Sequence, residues 1–327
     1  MNRHILTVTL LKLAPLCLLI AIPLMALTTL GTQVIASTGL IALPSAIVST
    51  APTPTPLPSP TPVLTVRGPI PTLNAKAYYL LDMDTGNVLV DVNGEESLPM
   101  ASTTKIMTAL IAIEAGNLNQ PVTVQQDAYD EVWLHDGSHA GLRVGETYTL
   151  RDMLYGLMVP SGDDAAVAIA DTIGGSEQNF VQIMNLYAYR LRLFHTHYAD
   201  PDGLNWQGSP DHYSSAGDLT QLALYAMRIP LFAQIVRTPG YRVPATAQHL
   251  AHTWATTNPL LTTYPGMLGI KTGFTDAAGR CLVFAAERNG HHLIGTILGS
   301  PTEAQRDQDV TTLLNWGFSL PVLPPTY

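Results

Sequence analysis

Proline occupies every second position from Pro52 to Pro62, and this run limits where a folded domain can begin. Each proline fixes its own φ and offers no N–H, and it pushes the preceding residue to extended geometry. Residues 51–62 therefore form an extended polyproline spacer of about 35–40 Å that cannot pack a core. Ahead of it, Arg3 and Lys12 are the only full charges before Arg67. Leu13 to Leu30 is uncharged and mostly apolar, close to the roughly 20 residues a spanning helix needs. Basic residues ahead of such a span leave the N-terminus in the cytoplasm and carry the rest outside. Val34-Ile35-Ala36 before Ser37 offers a signal-peptidase site, while the segment is also long enough to stay as an anchor, and both readings stand. The bulky Leu16 ahead of Cys17 speaks against lipoprotein processing. The expected organisation is a membrane anchor or signal over 1–50, a Pro/Thr-rich linker over 51–72, a catalytic domain over 73–320 and a short tail over 321–327. A formal net charge of −9 argues against nucleic acid or acidic lipid as the main partner. Two cysteines, Cys17 in the leader and Cys281 in a strand-like run, give no disulfide framework, and Cys281 reads as a small buried apolar residue.

Within the domain, Ala77–Leu81 and Val88–Val90 are strand-like runs joined by a hairpin signal at Asp82–Asn87. A helix opening near Ser102 follows, with Ile106, Leu110 and Ile113 at helical spacing and Gly116-Asn117 as its stop. Helical and loop signals dominate from Asn117 to Phe194. They include helices over Asp164–Ile173, closed by Gly174-Gly175, and over Phe180–Phe194; another runs over Asp218–Ile229, stopped by Pro230. Strands return at Met267–Lys271, Leu282–Ala286 and Leu293–Leu298, with Asn289-Gly290 turning between the last two, before a final helix over Val310–Trp316. Two strands, a mostly helical insertion and three further strands imply an α/β fold with one antiparallel sheet of five strands and helices packed on it.

Ser102 and Lys105 stand three positions apart, so one helical face brings the lysine amine back over the serine hydroxyl. A neutral lysine within hydrogen-bond reach activates a serine as nucleophile, and the positive end of the helix favours charge on its oxygen. Two further clusters follow in order: Pro160-Ser161-Gly162-Asp163 before a helix, and Gly269-Ile270-Lys271-Thr272-Gly273-Phe274 ending a strand. Ser102, Ser161 and Lys271 are separated by 59 and 110 residues. With this set the chain resembles the penicillin-binding, active-site-serine peptidases and β-lactamases. Within that group it is most similar to the D-alanyl-D-alanine carboxypeptidases, the low-molecular-mass penicillin-binding proteins. The likeness runs from about Leu73 to Phe318 and takes in Gly137-Ser138, Asp202-Gly203-Leu204 and His212-Tyr213-Ser214-Ser215-Ala216.

The resemblance implies a β-lactamase/transpeptidase-like fold and acyl transfer on the D-Ala-D-Ala end of peptidoglycan stem peptides, with β-lactam antibiotics as covalent inhibitors and no cofactor. Ser102 would attack the peptide carbonyl, Lys105 take its proton, and Ser161 pass a proton to the leaving amine. The alternative for Ser161 is an N-cap on the following helix. Lys271 and Thr272 suit the substrate carboxylate, and Gly273 leaves room for a peptide along the strand. The backbone N–H groups of Ser102 and Phe274 would form the oxyanion hole. Arg306, 35 residues after Lys271, falls where related enzymes place an arginine near the carboxylate, the alternative being a solvated surface arginine. Asp163, counted with the substrate-binding set, stands where the family more often has asparagine. Ionised and close to Lys105, it would favour the ammonium form and oppose the base. Many relatives carry a further β-rich domain and a C-terminal anchoring helix, whereas this chain stops at Tyr327 and attachment is expected through its N-terminal segment.

Other readings are weaker. His195, His197, His291 and His292 have no third ligand cluster beside them, so zinc is not expected. Asp211-His212 suggests a Ser-His-Asp triad, but the Ser-Lys pair already accounts for activation and His212 reads as structural. A β-lactamase of class A needs a glutamate between the second and third clusters. Here only Glu177 lies between Ser161 and Lys271, too soon after Ser161 to match. A catalytically inactive scaffold is kept open by Asp163 alone.

Overall fold

The computed structural model describes residues 62–205 and 207–324. The expected leader, Cys17 and most of the proline spacer lie outside the described residues. Among the described residues no single helix is long and apolar enough to cross a membrane.

The five expected strands pair into one sheet: β1 (Ala77–Asp82), β2 (Val88–Val92), β3 (Met267–Thr275), β4 (Gly279–Arg288) and β5 (His291–Ser300). Their order is β2-β1-β5-β4-β3 and every neighbour is antiparallel. Side chains alternate across the pleat, so each strand feeds two cores. Leu282, Phe284, Leu293 and Ile297 face a helix over Glu303–Ser319, burying against Val310, Leu313 and Leu314. Cys281, Val283, Ala285, Ile294 and Leu298 face the helical insertion. Each large apolar side chain so buried contributes about 1.5–3 kcal/mol. Asn289 and Gly290, with φ of 53° and 79°, make the tight turn between β4 and β5. Strand β3 lies at the sheet edge.

The insertion is built on α1 (Lys105–Ala115), whose residues from Lys105 to Ala112 are all buried. A helix apolar on every side belongs inside a bundle. Around it pack α2 (Gln126–Trp133), α3 (Leu150–Met158), α4 (Asp163–Gly174), α5 (Glu177–Arg190), α6 (Ala216–Ala226) and α7 (Pro230–Val236). Thr149, Ser176 and Ser215 cap α3, α5 and α6 through side-chain oxygens. Gly175, at φ 73°, closes α4 in the left-handed conformation expected of it.

Four expectations change. Ser102 sits in a separate short 3₁₀ turn, Ala101–Thr104, with α1 starting at Lys105. Pro230 does more than end a helix: α6 stops at Ala226 and Pro230 opens α7, where its missing N–H leaves nothing unpaired. The last helix runs over Glu303–Ser319, well beyond 310–316 at both ends, because Thr302 caps it and its first turns carry polar residues. Val63–Leu64, read as linker, pairs with Val322–Leu323, read as tail, and Leu64 is buried. Folded structure thus extends past both expected domain boundaries, at 73 and 320.

Candidate active site

The 3₁₀ turn stands between α1 and the edge strand β3, and close packing on both sides fixes it. Ala101 has φ 49°, a left-handed conformation that costs a non-glycine residue about 1–2 kcal/mol. On one side, a Cβ on Gly203 would come within 2.0 Å of the Ala101 carbonyl oxygen. On the other, a Cβ on Gly273 would meet Ser102 N, Ala101 Cβ and Met100 O, each at 3.1 Å. Glycine at 273 therefore lets β3 lie directly against the backbone of Ser102.

Lys105 is fully buried and its amine is surrounded by acceptors. It donates to Ser102 Oγ at 3.0 Å and to the Asp202 carbonyl at 2.8 Å, and it forms a short ion pair with Asp163 Oδ1. The Asp202 carbonyl is held in place by its loop, in which the Asp200 carboxylate accepts from the backbone N–H groups of Asp202, Gly203 and Asn205. Thr104 is held in turn by His212. His212 Nδ1 accepts from Ala199 N–H at 3.1 Å, which puts the ring proton on Nε2, facing Thr104 Oγ1 at 2.9 Å. Burial lowers the His212 pKa to about 3, so the ring is neutral and structural, as expected.

Ser161 has φ 68° and lies across the cleft from the 3₁₀ turn. The N-cap of α4 is Gly162, with no side-chain cap bond, so the N-cap alternative for Ser161 is set aside. Its Oγ accepts instead from Lys271 Nζ at 2.8 Å, and Lys271 also donates to the Thr272 carbonyl at 2.9 Å. Burial, then the charge of Lys105, holds the Lys271 amine well below the usual lysine range. The Thr272 and Thr257 hydroxyls meet at 2.6 Å. Ser102, Ser161, Thr272, Gly273 and Phe274 all line one cleft of about 540 Å³.

Two further residues of the expected set are tied to the protein itself. Asp163 is 1 % exposed and lies behind Lys105, away from the cleft wall, with Oδ2 accepting from Ser138 N–H at 2.6 Å. Burial raises its carboxyl to about 6 against the opposing pull of Lys105, with Asp202 adding to the rise. Arg306 reaches the cleft, but it is buried at 3 % exposure and no solvated surface arginine. Its guanidinium is tied to Asp307 at 2.7 Å and Glu303 at 3.4 Å. Cys281 is buried as expected, and burial raises its thiol to about 11.

Sequence reasoning did not single out Ser138, Asp164, Thr257 or Arg280. Asp164 accepts from the backbone N–H groups of Ala140, Gly141 and Leu142, which shapes the loop that carries Ser138 to the cleft. Gly137-Ser138 stood among the quoted family likenesses and was the available signal. Arg280 had none.

A serine hydroxyl bonded to a buried lysine, set against the edge strand of such a sheet, defines the penicillin-binding fold and suits acyl transfer. A family model described as D-alanyl-D-alanine carboxypeptidase matches residues 64–302, and the chain belongs to that family. The D-alanyl-D-alanine carboxypeptidase of Streptomyces sp. strain K15 is 38% identical over 76% of this chain and 89% of its own length. DacF, the D-alanyl-D-alanine carboxypeptidase of Bacillus subtilis, is 36% identical over 77% of this chain and 64% of its own length. Among solved structures, the Streptomyces K15 DD-transpeptidase superposes with a TM-score of 0.73 at 38% identity, covering 77% of this chain and all of the other. The D-alanyl-D-alanine carboxypeptidase of Mycobacterium tuberculosis gives a TM-score of 0.72 at 32% identity, covering 79% of this chain and 96% of the other.

Proposed function

We propose that this chain is a serine D-alanyl-D-alanine carboxypeptidase working through an acyl-enzyme on Ser102. The observation that carries the reading is the Lys105 amine 3.0 Å from Ser102 Oγ, at a cleft bounded by Thr272 and Gly273 of the edge strand. Ser102 Oγ attacks the carbonyl carbon of the penultimate D-alanine while Lys105 takes the hydroxyl proton. The backbone N–H groups of Ser102 and Phe274 receive the oxyanion. The C–N bond then breaks and the departing amine needs a proton. Ser161 suits this step: its oxygen already accepts from Lys271, so its own O–H is free to point to the leaving nitrogen, and the proton that Lys105 took from Ser102 replaces the one Ser161 gives up. Water hydrolyses the ester and restores Ser102. Thr272 and Lys271 serve the substrate side of the edge strand.

Stem peptides of peptidoglycan are the substrate and β-lactams the covalent inhibitors in this reading. The domain works outside the cytoplasm, reached through the N-terminal segment and held off the membrane by the proline spacer. Incubation with a D-Ala-D-Ala peptide should release D-alanine, and incubation with benzylpenicillin should leave a long-lived adduct. Rapid penicillin turnover would instead make the chain a β-lactamase, and neither outcome would make it a scaffold.

Asp163 tunes the base. Its carboxylate faces Lys105 on α1 and the Ser138 N–H, with the Asp202 carboxyl nearby raising it further. An ionised Asp163 favours a Lys105 that donates rather than accepts. An asparagine keeping its oxygen on Ser138 N–H would turn its NH₂ toward the lysine and favour an amine with a lone pair. Asp163→Asn is expected to raise the penicillin acylation rate near neutral pH about tenfold and to move the acidic limb of the rate profile to lower pH. Superimposable profiles for the two proteins would remove Asp163 from the mechanism.

A further inference from the structure

Trp133, the last residue of α2, is 57 % exposed, and Leu134 and Val144 are exposed with it. Apolar side chains scattered singly on a surface are ordinary, but these form a group. The Trp133 ring centre lies 5.9 Å from that of Tyr129, one helical turn back, and 5.8 Å from that of His139, with the planes 37° and 23° apart. Tyr129 and Trp133, with Gly141, Leu142, Arg143 and Val144, line a hollow of about 560 Å³.

This aromatic shelf is rigid and joins the catalytic cleft. The turn after α2 is closed by the Leu134 N–H on the Asp130 carbonyl at 2.8 Å and the Gly137 N–H on the Val132 carbonyl at 3.1 Å. A Cβ on Gly137 would come within 2.7 Å of Asp163 Oδ2 and 3.0 Å of the Glu131 carbonyl, so glycine lets the turn press against the start of α4. Ser138 then lines the cleft while His139, the next residue, packs on Trp133. The backbone of Ala140, Gly141 and Leu142 is pinned to Asp164. One peptide bond thus separates the cleft wall from the rings outside it.

The rings offer apolar faces, and polar groups at their edges are unused. Among the described residues no hydrogen bond or ion pair engages the Trp133 indole N–H, the His139 ring nitrogens or the Arg143 guanidinium. An apolar protein segment would cover the faces but strip water from these polar groups without replacing it, which is costly. A pyranose meets both demands. Its ring C–H bonds lie against an aromatic plane, and the hydroxyl and acetamido groups around its rim accept from indole and guanidinium N–H. The stem peptides assigned to the cleft are borne on a glycan of N-acetylated aminosugars, so sugars of this chemistry come with the substrate. We propose that the Trp133–His139 shelf binds the glycan strand of the wall polymer beside the catalytic cleft. The choice of polymer rests on the carboxypeptidase reading above. A second contact on the same polymer holds stem peptides near Ser102 at raised effective concentration, and a pre-formed shelf loses little freedom on binding. Its effect therefore falls on the polymer and spares short peptides.

The test is co-sedimentation of the full chain with purified peptidoglycan sacculi, using tetra-N-acetylchitotetraose as a peptide-free competitor. Wild type and Ser102→Ala should both sediment and both be released by the competitor, since the shelf needs no acylation. Trp133→Ala should raise the Kd for sacculi about tenfold and lower kcat/KM on sacculi by a like factor, the worth of one aromatic contact. The same variant should release D-alanine from N,N′-diacetyl-L-lysyl-D-alanyl-D-alanine within about twofold of the wild-type rate. Trp133→Phe should recover part of the loss, because a ring face returns without the N–H. Phe194→Ala, which removes another aromatic that is 69 % exposed, should change nothing. The proposal is overturned if Trp133→Ala sediments like the wild type, if the competitor releases nothing, or if Phe194→Ala loses as much. It is also overturned if Trp133→Ala loses the short peptide equally, or if the wild type is a dimer that Trp133→Ala dissolves. A wild type that sediments through Trp133 yet releases D-alanine from neither substrate overturns the carboxypeptidase reading and supports the glycan shelf.

Discussion

Replacing Lys105 by methionine is expected to slow acylation by penicillin by about 10²–10⁴-fold, the usual worth of a general base. The side chain reaches the nucleophile through its 3.0 Å bond to Ser102 Oγ, and methionine keeps an unbranched stem without the amine. The second effect falls on stability. Removing one member of a buried ion pair strands the other, at a cost of about 3–5 kcal/mol. Asp163 can escape that cost by taking up a proton. Burial raises its folded carboxyl to about 6, above the ordinary aspartate value, so the folded state binds the proton more tightly than the unfolded chain does. A carboxyl raised in this sense favours the folded state at low pH and loses that contribution as pH rises through its folded pKa. Without Lys105 the rise is larger. The Tm of Lys105→Met should therefore approach that of the wild type at pH 5 and fall well below it at pH 8. Acylation within a few-fold of the wild type, measured with a fluorescent penicillin on protein of verified Tm, would remove Lys105 as the base.

The sheet was readable because its strands carry their own punctuation. Asn289-Gly290 turns β4 into β5, and the alternation through Leu282, Val283 and Phe284 assigns each side chain to a face. Ser102, Lys105, Ser161 and Lys271 were readable because each sits in a short run whose local geometry places it. What escaped depends on contacts between distant segments. Asp163 and Asp164 are adjacent at the start of α4, yet one turns to Lys105 and the other to the Ala140–Leu142 backbone. Nothing in the order of the two tells which. Arg280 gains its place only from the register of β4 on β3, and the Arg306 charge is neutralised only once the first turn of its helix is known to start at Glu303. The two-residue pairing of Val63–Leu64 with Val322–Leu323 joins opposite ends of the domain and leaves no periodic trace in either.

The direct test of the central claim is the intact mass of Ser102→Ala after incubation with benzylpenicillin. Ser102 is 8 % exposed and its side chain contributes one accepted hydrogen bond from Lys105, worth about 0.5–1.5 kcal/mol, so the variant should fold with a Tm close to that of the wild type. The wild-type protein should gain the mass of one penicillin, and Ser102→Ala should gain none at any time or concentration that saturates the wild type. A folded Ser102→Ala protein that still carries the adduct would place the nucleophile elsewhere and contradict the account.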